Sequence, residues 1–340
     1  MAKGARSHVR KRRRGCFGGC LMKIVLLLGL CAALFVGACY AGVVRIDEAT
    51  GAPQIDMEAV KLPDSLKEIR LPDAIEKIDL SGLSLDSLGL PGWEYGMSDT
   101  GMTVKVLRAG AGEAVLICCD GYTMLLGAGE NGLLTAGQLL LCGAKNLNVA
   151  AAMSTERGQI GGMNAVLALT KPSYLLYPDT QTKDERYNKM LETAQKNGTQ
   201  LIAPEQGLTF SLGRGTVRVV GPRYKNHTDE RDDGLSVRVD YGDTSVLVMG
   251  TVTQAAEREL ISSGAPMNAE VLICGIGGGE EATGGVLVTS VSPDIAIMTG
   301  KNPANAVKVR LERIGCQVYS LKESGVITVT SDGENIEAIP

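Results

Sequence analysis

TVKVLRAGAGEAVLICCDGYTMLLGAGENG, residues Thr103–Gly132, decides how the chain is to be read. Three short runs, Thr103–Arg108, Ala114–Cys119 and Tyr122–Leu126, are rich in β-branched and apolar residues. Glycine-bearing turns at Gly110–Gly112 and Asp120-Gly121 separate them. Asp-Gly between two such runs is a strong hairpin signal, because a tight two-residue turn needs positive φ at both positions. A meander of three strands follows, with a helix-like run at Leu133–Cys142 and a strand at Asn148–Ala152 after it.

Further along, helix and strand patterns alternate. Met163–Leu169 and Asp184–Gln195 read as helices, Tyr174–Tyr177 and Gln200–Ala203 as strands. The middle is strand-rich: Leu208–Leu212, Thr216–Val220, Leu235–Asp240 and Ser245–Met249. Helix-like Gln254–Ser262 and Asn305–Ile314 then intersperse with strands at Glu270–Cys274, Asp294–Met298, Gln317–Leu321 and Val326–Thr330. Strands in the middle with helices flanking each half predict two packed sheets with helices outside, an α/β fold. Aromatics make up 4% and hydrophobic residues 44%, so Val, Ile, Leu and Ala must build the core.

The N-terminus is different. Eight basic residues (Lys3, Arg6, Arg10, Lys11, Arg12, Arg13, Arg14, Lys23) precede the first acid, Asp47. Ile24–Val44 is a 21-residue stretch without charge, IVLLLGLCAALFVGACYAGVV. About 20 apolar residues cross a hydrocarbon core of roughly 30 Å, and basic flanks stay cytoplasmic. The expectation is a cytoplasmic tail (1–23), a single transmembrane signal anchor (24–44), a stalk (45–100) and an extracytoplasmic domain (101–340). Small residues at Gly37-Ala38 and the lipobox-like Val36–Cys39 leave cleavage or lipidation open. The stalk contains a nine-residue repeat, KLPDSLKEI (61–69) and RLPDAIEKI (70–78), too short for a solenoid. Its apolar tract LSGLSLDSLGLPGW (80–93) suits self-association or packing on a partner.

Residues 45–340 hold 26 basic and 38 acidic side chains, a net of −12. That charge argues against direct DNA binding, in which phosphate neutralisation supplies most of the affinity. Cys118, Cys119, Cys142, Cys274 and Cys316 lie mostly in apolar runs and read as buried thiols, not a disulfide framework. Cys118 and Cys119, adjacent on a strand, must face opposite sides. The glycine runs match no phosphate-binding fingerprint. The chain has only two histidines, His8 and His227. His227, in the polar run YKNHTDERDD, reads as a solvated loop residue.

The glycine-punctuated meander of Thr103–Gly132 resembles the opening of the metallo-β-lactamase domain of ComEC-type DNA-uptake proteins. There the family runs strand, D-V-G-Q-G-D, strand, D-G, strand, D-A-G. Gly110, Gly112, Gly121, Ala128 and Gly129 match, and the acid survives as Glu113, while the Asp of D-A-G is Gly127. The family's ligand motif T-H-x-H-x-D-H-I-G-G corresponds to MSTERGQIGG, Met153–Gly162. Ile160-Gly161-Gly162 sets the register, so the ligand positions become Ser154, Glu156, Gly158 and Gln159. The bridging aspartate of T-G-D falls on Thr251. G-H-H-G-S becomes Gly275-Ile276-Gly277-Gly278-Gly279, and no histidine stands near Asn302–Asn305, where the last ligand belongs. SGVITVTSDGENIE (324–337) fits the family's terminal hairpin.

The resemblance thus implies a metallo-β-lactamase-like αββα sandwich behind the membrane anchor, lacking the zinc ligands. It further implies a vestigial pocket of Ser154, Glu156, Gln159, Thr251, Gly275 and Ile276, with no catalytic residues, metal or cofactor. The expected role is that of a pseudoenzyme that binds or scaffolds an extracytoplasmic ligand or protein partner, linked to DNA uptake if the likeness extends to process. Ser154 as a metal-free nucleophile would need a nearby base, and no histidine supplies one. The competing expectation is a metal-dependent phosphodiester or nucleic-acid hydrolase with a rebuilt site, drawing on Cys274, Asp232, Asp233, Glu280 and Glu281.

Overall fold

In the computed structural model, residues 97–180 and 182–340 are described, together with a two-stranded ladder, β1 (Val44–Ile46) and β2 (Pro53–Ile55). The tail, the anchor except Val44, the nine-residue repeat and the apolar tract lie outside the described residues. Among the described residues no helix is long and apolar enough to cross a membrane.

The meander forms as expected. β3 (Met102–Val106), β4 (Val115–Cys119) and β5 (Tyr122–Leu126) pair antiparallel. The β4–β5 turn has positive φ at both Asp120 and Gly121, as a two-residue turn between twisted strands demands. β6 (Val149–Ala151), β7 (Tyr174–Leu176) and β8 (Gln200–Ile202) then add in parallel. Such crossovers need a helix each; α1 (Gly132–Leu141), the short α2 (Arg157–Ile160), α3 (Met163–Thr170) and α4 (Glu185–Lys196) fill those connections. β16 (Ile327–Ser331) and β17 (Ile336–Ile339) close this eight-stranded sheet on its other side, beside β3.

The second sheet has seven strands. β9 (Thr209–Leu212), β10 (Gly215–Gly221), β11 (Ser236–Tyr241) and β12 (Thr244–Val248) are antiparallel; β13 (Val271–Ile273), β14 (Ile295–Met298) and β15 (Gln317–Ser320) continue in parallel. α5 (Gln254–Ser262), α6 (Gly285–Val291) and α7 (Asn305–Glu312) link the parallel strands, and α8 (Leu321–Ser324) leads into β16.

Strand alternation sorts the core into three layers. Val104, Ile117, Met124, Val217, Val239 and Val248 belong to the cluster between the sheets. The opposite faces carry Leu116 and Leu125 against helix residues Leu139, Val166 and Met190, and Leu247 and Leu272 against Leu260, Leu287 and Leu311. The order of layers is helix, sheet, sheet, helix: the αββα sandwich. The first sheet is tied to the second by Asp120, which accepts from the Arg214 guanidinium at 2.8 and 3.0 Å and from the Tyr241 hydroxyl at 2.7 Å. Arg214 holds that carboxyl well below the usual range.

Cys119 lies in the inter-sheet cluster, whereas Cys118 places its sulfur 3.5 Å from the Ser98 carbonyl. All five domain cysteines are free and buried. Burial pushes the thiols of Cys119, Cys274 and Cys316 up to about 12 and that of Cys142 up to about 11. A thiol must ionise to react. The native protein is therefore expected to protect these five from Ellman's reagent at pH 8, and all five should titrate in denaturant. Rapid native labelling of any, located by mass spectrometry, would contradict the burial.

Candidate functional site

The turns following β5, β6, β12, β13 and β14 meet at one edge of the sandwich, and hydrogen bonds trace a ring around it. Glu113 N–H donates to the Gly158 carbonyl (3.0 Å), and Gly129 N–H to the Glu113 carbonyl (2.9 Å). Leu235 N–H reaches the Met153 carbonyl (2.6 Å), Ile276 N–H the Gly250 carbonyl (2.8 Å) and Gly300 N–H the Gly277 carbonyl (2.8 Å). The Thr299 hydroxyl faces Glu113 Oε2 at 3.4 Å and joins the two sheets. Ser154, Gln159, Thr251, Gly275 and Ile276 all sit on segments of this ring.

The hydroxyls of Ser154 and Thr251 are occupied locally. Ser154 Oγ accepts from Glu156 N–H at 3.2 Å, and Thr251 Oγ1 donates to the Arg231 carbonyl at 3.1 Å. Gln159 is buried, and its Oε1 has no hydrogen-bond partner. Glu156 is exposed at the N-cap of α2. Desolvation raises its carboxyl; Arg231 opposes the rise, and Asp229 and Glu281 add to it.

Backbone closes Gly277 and Gly127 to any side chain and crowds Gly158. A Cβ on Gly277 would lie 2.6 Å from both N and Cα of Gly300. One on Gly127 would lie 2.5 Å from the Glu113 carbonyl oxygen, and one on Gly158 would lie 3.1 Å from Gly112 Cα. Gly277 and Gly127 also have φ of +61° and +69°, a region that side chains other than glycine's rarely occupy. Just before Gly277, Ile276 adopts φ 49°, ψ 35°, an outlier for a β-branched residue.

The donor set does not fit a catalytic zinc centre, which takes about three His, Cys or carboxylate ligands. Ser154, Gln159, Thr251 and Ile276 are poor ligands, Gly158 and Gly277 are none, and among the described residues no three His, Cys, Asp or Glu side chains gather in a metal-holding group.

The residues considered for a rebuilt site are engaged elsewhere. Asp232 accepts from Thr253 N–H (2.7 Å) and Thr253 Oγ1 (2.9 Å), at the start of α5. Asp233 holds His227, Glu281 pairs with Arg231, Glu280 is exposed, and Cys274 is fully buried.

Two features escape a reading of the sequence. One is Glu113, only 2% exposed, whose carboxyl is pushed up to about 8 by desolvation despite the Thr299 contact. Its Oε1 has no partner. The other corrects the reading of His227. This side chain is not solvated but clamped, with Nδ1 2.7 Å from Asp233 Oδ1 and Nε2 3.0 Å from Glu259 Oε2. Burial disfavours the charged ring, yet the bonds to Glu259 and Asp233 outweigh it and raise the imidazole above 6.5. The folded value exceeds the unfolded one, so the stabilisation is complete below pH 6.5 and fades as pH climbs through the raised value. His227→Ala is expected to lose roughly 1–3 kcal/mol at pH 6, with the gap from the parent narrowing at alkaline pH in urea titrations. A gap that is constant with pH would contradict the clamp.

No family model matches the chain, and no curated protein matches it. Similar solved structures include the metallo-β-lactamase-fold protein YhfI from Bacillus subtilis, at 14% identity and a TM-score of 0.47, covering 66% of this chain and 98% of that one. Tm1679, a metal-dependent hydrolase of the β-lactamase superfamily, has 11% identity and a TM-score of 0.45 over 64% of this chain and 95% of its own. CmlA, a diiron β-hydroxylase from Streptomyces venezuelae, has 12% identity and a TM-score of 0.46, covering 68% and 54% respectively. TM-scores below 0.5 carry no weight for chemistry. The two-sheet architecture rests on the strand order and layers above.

Proposed function

We propose that this chain is a membrane-anchored extracytoplasmic protein whose domain is a metallo-β-lactamase-type sandwich of the ComEC kind, emptied of its metal centre, that binds or scaffolds instead of hydrolysing. The observation that carries this reading is the backbone crossing at Gly277 and Gly300, which leaves no room for a ligand side chain at Gly277. A site that had merely exchanged one ligand type for another would keep room for side chains at such positions. The sealed glycines at Gly127 and Gly277 favour a loss of the centre over its rebuilding.

The partner is an extracytoplasmic ligand or a membrane complex. DNA-uptake machinery is the first to test, by analogy of fold alone, and fold does not fix function. The net of −12 over residues 45–340 favours a protein partner over DNA itself. The deciding experiment is elemental analysis of the full chain purified from cells supplied with Zn²⁺ and Mn²⁺. Near-zero metal in folded protein supports the reading. One or two metals per chain, lost in Glu156→Ala, would overturn it in favour of a hydrolase.

A further inference from the structure

The outer side of the seven-stranded sheet changes character from apolar to charged. One row of paired residues crosses it. From β12 to β15 the row is Leu247, Leu272, Ala296 and Val318, all in or against the layer packed by α5, α6 and α7. On the other side of Leu247 the same row continues through Arg238, Arg218 and Thr209. The apolar cover stops where the arginines begin.

Arg218 and Arg238 are direct cross-strand partners. Their neighbours Val217, Val219, Val237 and Val239 lie in the inter-sheet core, so alternation sends both arginines to the outer face. Like charges placed directly opposite repel, with Cβ atoms about 5 Å apart. The charges on this face do not cancel the repulsion. Asp240 takes the Nε and NH2 groups of Arg238 at 2.7 and 2.6 Å, and Glu270 is held by the N–H and hydroxyl of Ser245, both at 2.7 Å. Among the described residues no carboxylate pairs with Arg218. Arg238 Nη1 and Arg218 Nε are moreover buried donors without a hydrogen-bond partner.

We propose that the Arg218–Arg238 pair, whose orphan donors are buried, is a binding site for a small oxyanion, a phosphate or carboxylate group, on the outer face of β10 and β11. A guanidinium offers several N–H donors in a planar fork that suits such oxygens, and its hydrogen bonds to anions are strong. The anion would screen the two guanidinium groups from each other and satisfy both orphan donors at once. The site is distinct from the ring of altered ligand positions and stands whether or not a metal binds there.

The test uses the full chain in detergent, titrated with inorganic phosphate and, separately, with acetate, at ionic strength held constant with chloride. Saturable binding followed by calorimetry is expected, weakened about tenfold or more in Arg218→Gln and unchanged in Lys145→Gln, which removes an exposed charge elsewhere. The tighter of the two anions names the oxyanion. Arg238→Gln is the second variant, with circular dichroism confirming that each variant folds. No saturable binding of either anion, or binding equal to the parent in both arginine variants, would overturn the proposal.

Discussion

Gly277→His, which supplies the residue type of the G-H-H-G element that this loop resembles, is expected to unfold the domain and not to create a metal ligand. Three contacts decide it. The new Cβ would meet Gly300 N and Cα at 2.6 Å and Thr299 Oγ1 at 3.2 Å, and the first two are backbone atoms held by the bond from Gly300 N–H to the Gly277 carbonyl. Gly300 cannot retreat alone, because Ala304 N–H is anchored to the Gly278 carbonyl at 2.9 Å just beyond it. A left-handed φ of +61° adds its own strain. The loss should exceed about 3 kcal/mol, a large share of an ordinary domain's 5–15 kcal/mol. Ile276→His is the contrast. Ile276 is half-buried, and its left-handed backbone suits histidine better than a β-branched residue. That variant should fold as well as the parent or better. Urea midpoints of the two, with zinc analysis of any folded protein, check the argument. A folded, zinc-loaded Gly277→His would show that the crossing yields, and the proposed pseudoenzyme would fall with it.

Much of this architecture is written in periodicity. The hairpin at Asp120-Gly121, the helix Gln254–Ser262 and the Val-rich strands of both sheets stand where alternation and turn chemistry put them, because one face of each must be buried. α6 is the instructive miss. GVLVTSV is β-branched and aperiodic, and its helix is held by tertiary contacts. The buried Glu257 carboxylate accepts from the N–H groups of Thr283 and Gly284 at its start, at 2.5 and 2.9 Å. Ser154, Gln159, Thr251 and Ile276 could be named together at one edge from the resemblance that Ile160-Gly161-Gly162 anchors. What they do there could not be. Glu113 is buried beside Thr299, 186 residues away, and His227 is held by Glu259, 32 residues away. No local pattern carries such pairings, so a polar loop hid a clamped histidine and an ordinary-looking glutamate proved to be the most perturbed acid of the site.

Glu113→Gln should stabilise the protein at neutral pH, and by an amount that depends on pH in a set direction. An unfolded chain ionises this glutamate near 4.5, whereas the folded one keeps it protonated to about 8. Below pH 4.5 both states are neutral and the parent and variant should match. Between 4.5 and 8 the unfolded state alone sheds the proton, so the parent loses stability progressively, by about 3 kcal/mol at pH 7 and about 5 kcal/mol above pH 8. Glutamine has the shape of the neutral acid and carries no such loss. Urea titrations at pH 4, 7 and 8.5 read the divergence directly; parallel curves would mean that Glu113 is ionised in the fold. Zinc sharpens the experiment. A divalent cation beside the carboxyl would favour the ionised form and hold it so at pH 6, and it would stabilise the parent but not the glutamine variant. If zinc instead leaves both midpoints unmoved, no divalent cation meets Glu113, and the proposed loss of a metal centre gains support.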